Sequence, residues 1–314
     1  MKRALRTGPG LAGGFTLVEI MVALSVLGIL VLALSQIMDS VITATTSGFK
    51  HMDADTQARM ALDRIAYDVS KMVKRTDVDY YFQKNTSGSD QMAFFSESGG
   101  YYPSTLTSTT QQSNVSLVGY RINSSNQLER LSKGLAWSGV SGLSAGVNPM
   151  VFLPQTICTG ATPAWPGILT MGSGSDADYQ VIGEQIFRLE ICFLVQNSTN
   201  KAALSDTSES ATQATLSDEP WDSQDSSVNG MKDVVAVVVG IAVIDTQGAK
   251  LVSTSTLASA ANALSKDNMT TTPPSSPLQV WQAQINGGMT FGLPKLAASQ
   301  LRIYQRYCYL GLSQ

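Results

Sequence analysis

Apolar residues are distributed unevenly along this chain, and the first long apolar run predicts a membrane-spanning helix. Residues 15–38 carry a single charge, Glu19. As a helix this segment would span roughly 36 Å, which exceeds the hydrocarbon core of a bilayer, about 30 Å thick. The first element of the chain is therefore expected to cross a membrane.

Beyond this run the apolar positions recur with helical spacing, which predicts that the same helix continues. Six residues follow the i, i+3, i+4 pattern of one apolar face: Leu62, Ile65, Ala66, Val69, Met72 and Val73. No proline occurs between Pro9 and Pro103 to interrupt the helix. We therefore expect one helix from residue 15 to about residue 75, whose amphipathic half, residues 39–76, packs under a head.

The periodicity changes after this helix, and residues 77–314 are predicted to form a β-rich head. The predicted strands are 91–96, 115–123, 127–132, 186–195, 233–245 and 302–310, and the predicted short helices are 278–286 and 294–300. Two Ser/Thr-rich stretches, 197–229 and 253–277, are predicted to be surface loops. The expected fold class is α+β, with one long N-terminal helix packed on an antiparallel sheet.

The leader, residues 1–14, is basic and contains no acidic residue. Its positive charge predicts that the N-terminus faces the cytoplasm and that the head is exported. A secretory signal, cut after Ser35 to release a protein beginning at Gln36, and a plain membrane anchor both fit this pattern. Neither explains Glu19, because inserting a carboxylate near the start of an apolar helix costs about 2–3 kcal/mol or more.

The junction Gly14-Phe15-Thr16-Leu17-Val18-Glu19 resembles the cleavage and methylation motif of type IV prepilins and type II secretion pseudopilins. The resemblance implies that a membrane aspartyl peptidase, the prepilin peptidase, cuts between Gly14 and Phe15. It also implies that the peptidase methylates the new amine of Phe15 and that the apolar helix stays in the mature protein. In such filaments, Glu19 would attract the Phe15 amine of an adjacent subunit.

Looser similarities concern the family's subtypes. Residues 61–69 are similar to the helix segment of minor pilins of the PilW type and of the J pseudopilin of type II secretion. The stretches 233–245 and 302–310 resemble a group of prepilin-like proteins called Verru_Chthon cassette protein C. The helix lacks the proline that many major type IV pilins carry, which favours a minor pilin or pseudopilin.

Composition argues against several other classes of function. The net charge is −3 and no basic run is present, so nucleic acid is not an expected partner. Only 14% of the residues are charged, and a surface built from uncharged polar residues fits an exported protein. The Gly-x-Ser-x-Gly pattern at 142–146 lacks a strand–turn–helix context, and the one histidine, His51, lies on the predicted helix. We therefore expect no catalytic residues and no small-molecule substrate.

Cofactor and disulfide predictions concern the head. An acidic loop offers oxygen atoms that could bind Ca²⁺, without EF-hand spacing: Asp218, Glu219, Asp222 and Asp225. We otherwise expect no cofactor. The three cysteines have no metal-type spacing. In an exported head we expect Cys192 and Cys308 to form a disulfide and Cys158 to remain a thiol, because the first two lie in strand-like stretches. Three reduced thiols are the alternative.

Together these patterns predict a non-enzymatic minor pilin or pseudopilin. It would reside in the inner membrane with its head in the periplasm, and would then join a type IV pilus or a type II secretion pseudopilus. Its expected partners are the prepilin peptidase, other pilin or pseudopilin subunits and the membrane. The alternative is a membrane-tethered or secreted binding protein or hydrolase whose N-terminus imitates a prepilin.

Overall fold

The computed structural model describes residues 16–74, 78, 80–83, 85, 88–101, 112–136, 139–140, 179–195, 215–217, 234–264 and 276–310. The chain divides into two units, residues 1–50 and residues 51–314. Among the described residues, the first unit contributes the beginning of a long helix, and the second contains the end of that helix, two antiparallel sheets and four short helices.

Helix α1 runs from Leu17 to Ser70 without interruption. It ends five residues before the predicted position because the chain there begins to pair with a strand. Met72 forms an antiparallel bridge with Ser96, and the Val73 N–H donates to the Phe95 carbonyl at 2.8 Å. Within α1 the predicted apolar face is confirmed, since Leu62, Ile65 and Val69 are buried and Ala66 is partly buried. Met72, also buried, lies after the end of the helix.

The first sheet is antiparallel and follows the order β1-β2-β3-β4-β5, with β6 also paired to β4. Its strands are β1 (Tyr80–Gln83), β2 (Gln91–Ser96), β3 (Gln112–Ile122), β4 (Leu128–Ala136), β5 (Gly139–Val140) and β6 (Tyr179–Gly183). The predicted hairpin between β3 and β4 is present. Asn123 Oδ1 accepts from the Ser125 and Gln127 amides, and Asn126 adopts a positive φ of 57°, which asparagine tolerates better than most residues.

The second sheet is antiparallel with the order β10-β9-β7-β8. Its strands are β7 (Ile186–Val195), β8 (Thr215–Ser217), β9 (Val234–Ile244) and β10 (Leu301–Tyr309). Strand β9 lies between β7 and β10 and is buried along almost its whole length. A strand that is covered on both faces has apolar residues at nearly every position, and this explains the sequence of β9.

Within the described residues, four short helices lie between β9 and the last strand, β10, in sequence. They are α2 (Thr246–Lys250), α3 (Thr254–Ala263), α4 (Pro277–Asn286) and α5 (Lys295–Ala298). Helix α3 lies inside the stretch 253–277 that the sequence predicted to be a loop, so that prediction is wrong there. Ser253 caps α3 by accepting from the Thr256 amide, and Ala260 and Leu264 are fully buried. The Ser/Thr-rich composition was read as a loop, although one of its serines is an N-cap and its apolar residues form one face of a helix.

The main core lies between the end of α1 and the two sheets. It combines apolar residues of α1 with one face of each sheet, including Phe82, Phe94 and Phe193. The Phe82 and Phe193 rings meet edge to face, with centroids 5.3 Å apart. A second cluster, centred on Trp281, packs α3, α4 and α5 against the opposite face of the second sheet. The α+β class is therefore confirmed, with two sheets in the head.

Candidate functional site

The start of α1 is shaped by Thr16, which serves as its N-cap. Thr16 Oγ1 accepts a hydrogen bond from the Glu19 backbone N–H at 3.2 Å, and the Thr16 carbonyl accepts from the Ile20 N–H at 3.2 Å. Sequence analysis missed this role, although Thr-x-x-Glu before an apolar run is the signature of a capping box. The Thr16 side chain thus defines where the apolar helix begins.

Glu19 lies in the first turn of α1, where a negative charge is favoured by the helix dipole. Its side chain is exposed, and within the described part of the chain it makes no hydrogen bond or ion pair. It is the only charged residue of residues 15–38. The arrangement therefore presents one carboxylate, unpaired within the described part of its own chain, at the end of an apolar helix.

The helix around this carboxylate is long and apolar enough to cross a membrane. The candidate span is Leu17–Thr46, with a mean hydropathy of 2.7. Its hydroxyl groups bond within the helix, as in Ser25 Oγ to the Met21 carbonyl at 2.8 Å and Ser35 Oγ to the Val31 carbonyl at 3.0 Å. Internal bonding of polar groups is what a hydrocarbon environment requires, because lipid offers no partners. The apolar helix fits membrane anchoring.

Several predicted site residues lie outside the described residues. They are the cleavage residues Gly14 and Phe15, the Ca²⁺ candidates Asp218, Glu219, Asp222 and Asp225, and Cys158. Residues 142–146, with the Gly-x-Ser-x-Gly pattern, also lie there. Among the residues that are described, no group of three or more His, Cys, Asp or Glu side chains could hold a metal ion.

The register of the second sheet corrects the predicted Cys192–Cys308 disulfide. Cys192 lies opposite Val238 of β9, whereas Cys308 lies opposite Val237. Successive side chains of a strand point to opposite faces, so the two thiols face opposite sides of the sheet. They are also separated by β9, which places their strands about 9.6 Å apart, beyond the Cα separation of about 4.4–6.8 Å that a disulfide spans. The structure contains both as buried cysteines that are not joined by a disulfide.

A buried polar cluster holds α1 against the first sheet. Asp68 is fully buried, and its Oδ2 accepts from Arg130 Nε at 2.7 Å and from the Tyr120 hydroxyl at 2.5 Å. Burial, together with the Asp68 charge, raises the pKa of Tyr120 well above its ordinary value. Tyr120 therefore stays a neutral donor, and the cluster is a structural connection between helix and sheet.

Comparison with known proteins identifies the N-terminal segment. Residues 11–35 match the family model described as the prokaryotic N-terminal methylation motif. The matched segment contains the predicted cleavage junction, the Thr16 cap and Glu19. The match is consistent with the type IV prepilin and pseudopilin family and supports a pilin-like precursor, whose motif implies processing by a prepilin peptidase. No curated protein and no solved structure matches the chain.

Proposed function

We propose that this chain is a non-enzymatic filament subunit, a minor pilin or pseudopilin of a type IV pilus or a type II secretion pseudopilus. The observation that carries the proposal is the methylation motif at residues 11–35, which contains the beginning of a membrane-length helix with one carboxylate in its first turn. A secretory signal or a plain anchor needs the apolar helix but does not need Glu19.

The first step of the proposed mechanism is cleavage after Gly14 by the prepilin peptidase. Cleavage leaves a free amine on Phe15, and an α-amino group has an ordinary pKa of about 8. Methylation of this amine leaves it a cation at neutral pH. The mature chain therefore begins with a positive charge four residues before Glu19, at the edge of the apolar helix.

The second step is pairing between subunits. Thr16 caps the helix by accepting from the Glu19 backbone N–H, and Phe15 directly precedes Thr16 in the sequence. When two such helices pack side by side with an axial offset, the amine of one subunit meets the carboxylate of the next. Two uncompensated charges in a low-dielectric environment become one ion pair, which favours assembly and sets the axial register.

The remaining features of the proposal concern the head and its location. The basic leader supports a cytoplasmic N-terminus and an exported, periplasmic head. The head, residues 77–314, would then act by contact with other subunits, without a cofactor or a substrate.

Cleavage removes Lys2, Arg3 and Arg6 and thereby changes the formal net charge from −3 to −6.

The mature N-terminus tests this proposal. Intact-mass and peptide mass spectrometry of the protein purified from membranes should find a chain that begins at Phe15 and carries one additional methyl group. A chain beginning at Gln36 would identify a secretory signal instead, and an intact Met1 would identify an unprocessed anchor. Either result would overturn the proposed function.

A further inference from the structure

Strand β10 forms the outer edge of the second sheet. It pairs with β9 over nine consecutive residues without a bulge, and no described strand lies along its other side. Exposed edges are commonly protected by lysine, proline, bulges or short length. The sequence of β10, LRIYQRYCY, has neither lysine nor proline. This edge is therefore long and regular and has no lysine, proline or bulge, and its charged residues are the two exposed arginines Arg302 and Arg306.

The register shows which backbone groups point away from the sheet. The Leu310 N–H donates to the Val235 carbonyl, which makes this a hydrogen-bonded pair directly after β10. Bonding alternates along an antiparallel ladder, so the even-numbered residues of β10 bond to β9. The N–H and C=O groups of Ile303, Gln305, Tyr307 and Tyr309 therefore face outward.

A groove of about 420 Å³ lies along the C-terminal part of this edge. One wall is the last part of α1, with Asp63, Ala66 and Tyr67, and the other wall is residues 306–309 of β10. Tyr67, Tyr307 and Tyr309 are 48%, 38% and 61% exposed. The outward backbone groups of β10 thus lie beside a groove whose lining residues include Tyr67, Tyr307 and Tyr309.

The charges of this groove satisfy each other. Arg306 Nη1 forms an ion pair with Asp63 Oδ1 across the groove. Burial raises the pKa of the Tyr307 hydroxyl, which therefore stays neutral. The two charges cancel, so the lining carries no net charge that would attract a charged side chain. The groove is therefore suited to an uncharged occupant with apolar or small side chains.

We propose that the outer edge of β10, with the groove beside it, binds an extended, uncharged segment of another polypeptide as an added β-strand. The backbone of the segment bonds to the outward groups of Gln305 and Tyr307. Every second side chain faces the groove and packs on Ala66 and Tyr67, because side chains alternate along a strand. This binding does not depend on the proposed filament function, since it uses only the head.

The experiment uses the full chain in detergent and a defined probe, a fluorescein-labelled heptapeptide of alternating threonine and valine. Fluorescence anisotropy should show saturable binding. The same peptide with every second amide N-methylated keeps its side chains but loses its donors, and it should bind roughly tenfold more weakly or worse. Hydrogen exchange should show that the probe protects the amides of Gln305 and Tyr307.

Two matched variants test the edge itself. Tyr307→Pro removes the outward N–H but leaves the hydrogen bonds between β10 and β9 in place. Tyr307→Val also removes the tyrosine ring but keeps that N–H. The proline variant should bind the probe roughly tenfold more weakly, and the valine variant should bind within about threefold of the original. If the proline variant does not fold, Ala66→Gln fills the groove from the helix side and should weaken binding similarly.

Three results would overturn the proposal: no saturable binding, equal binding of the N-methylated probe, or equal binding by Tyr307→Pro. Self-association of the chain without probe binding would also overturn it and would assign the edge to a second copy. These outcomes are independent of the mature N-terminus, so they are distinguishable from a failure of the proposed function.

Discussion

Arg130 Nε donates to Asp68 Oδ2 at 2.7 Å, and this pair joins β4 to the end of α1 although 62 residues separate the two in sequence. Asp68 is fully buried, and the Arg130 side chain is only 11% exposed. Asp68→Ala should lower the free energy of unfolding by about 3–5 kcal/mol, because it leaves a buried guanidinium without its partner. Urea unfolding of the detergent-solubilised chain, followed by tryptophan fluorescence, measures this change.

Asp63 supplies the matched control for that prediction. It forms an ion pair with Arg306, but the two side chains are 62% and 44% exposed. Because water screens exposed pairs, Asp63→Ala should cost less than about 1 kcal/mol. If Asp68→Ala and Asp63→Ala lowered the free energy of unfolding equally, burial would not explain how much the Asp68 pair contributes to stability.

Local patterns predicted the long helix and the longest strands, whereas several short elements and the long-range pairings were out of their reach. Strand β8, for example, lies inside the stretch 197–229 that was predicted to be a loop. The strand 186–195 was predicted with its observed bounds, because its apolar run is bounded by polar and turn residues. Strand β1 has four residues, too few to show a periodicity. The predicted disulfide was wrong because the order β10-β9-β7, which separates Cys192 from Cys308, is a property of the topology.

The same distinction holds at the candidate site. Glu19 was found because a single carboxylate in an apolar run is costly and therefore conspicuous. The Thr-x-x-Glu spacing also predicts the Thr16 cap, but this prediction was not made. The Asp68–Arg130 pair was beyond local reasoning, which reaches only contacts such as that of Asp68 with Arg64 one helical turn away. That contact also exists, at 3.5 Å, but the shorter bond goes to Arg130.

Alkaline pH should destabilise the head partly through Cys308. Burial raises the pKa of this thiol to about 12, against an ordinary value of 9.0, and nearby Arg306 opposes that shift. Since the folded state holds the proton more tightly, this stabilising contribution is present below about pH 9 and is lost as the pH rises toward about 12. Urea midpoints at pH 8 and pH 11 should differ less in Cys308→Ala than in the original chain.

The pKa of the Tyr120 hydroxyl is also raised, as is that of the Cys308 thiol. Some destabilisation at alkaline pH should therefore persist in Cys308→Ala. Thiol reactivity gives an independent check. At pH 8 iodoacetamide should modify Cys308 at least about tenfold more slowly in the folded chain than in urea, because thiolate is the reactive form. Rapid labelling of Cys308 in the folded chain, or an unchanged pH dependence in Cys308→Ala, would contradict this assignment.

Processing should depend on the residue before the cut. Gly14→Val places a branched side chain where the peptidase is expected to accept only glycine, so the variant should remain at the precursor mass. Gly13→Val, one residue further from the junction, is the matched control and should be processed. Immunoblots that resolve precursor from mature protein distinguish the two, and normal maturation of Gly14→Val would place the cut elsewhere.

The cap and the charge can be separated by two substitutions at the start of α1. Glu19→Gln removes the charge but keeps a residue that a capping box accepts. Thr16→Ala removes the capping hydroxyl at a cost of about 1 kcal/mol and keeps the charge. If Glu19 served only the helix start, Thr16→Ala would be the more harmful change. The charge-pairing mechanism predicts the reverse order for assembly.

The most direct test of the central claim is the distribution of Glu19→Gln protein between membranes and assembled filaments. Mature protein, cut after Gly14, should accumulate in the membrane at the level of the original chain, because removing a carboxylate from the apolar segment does not hinder insertion. It should be missing from sheared filaments or from the isolated secretion complex, whereas Thr16→Ala protein should be present there. Assembly of Glu19→Gln protein at the original level would contradict the proposed pairing of Glu19 with a neighbouring Phe15 amine.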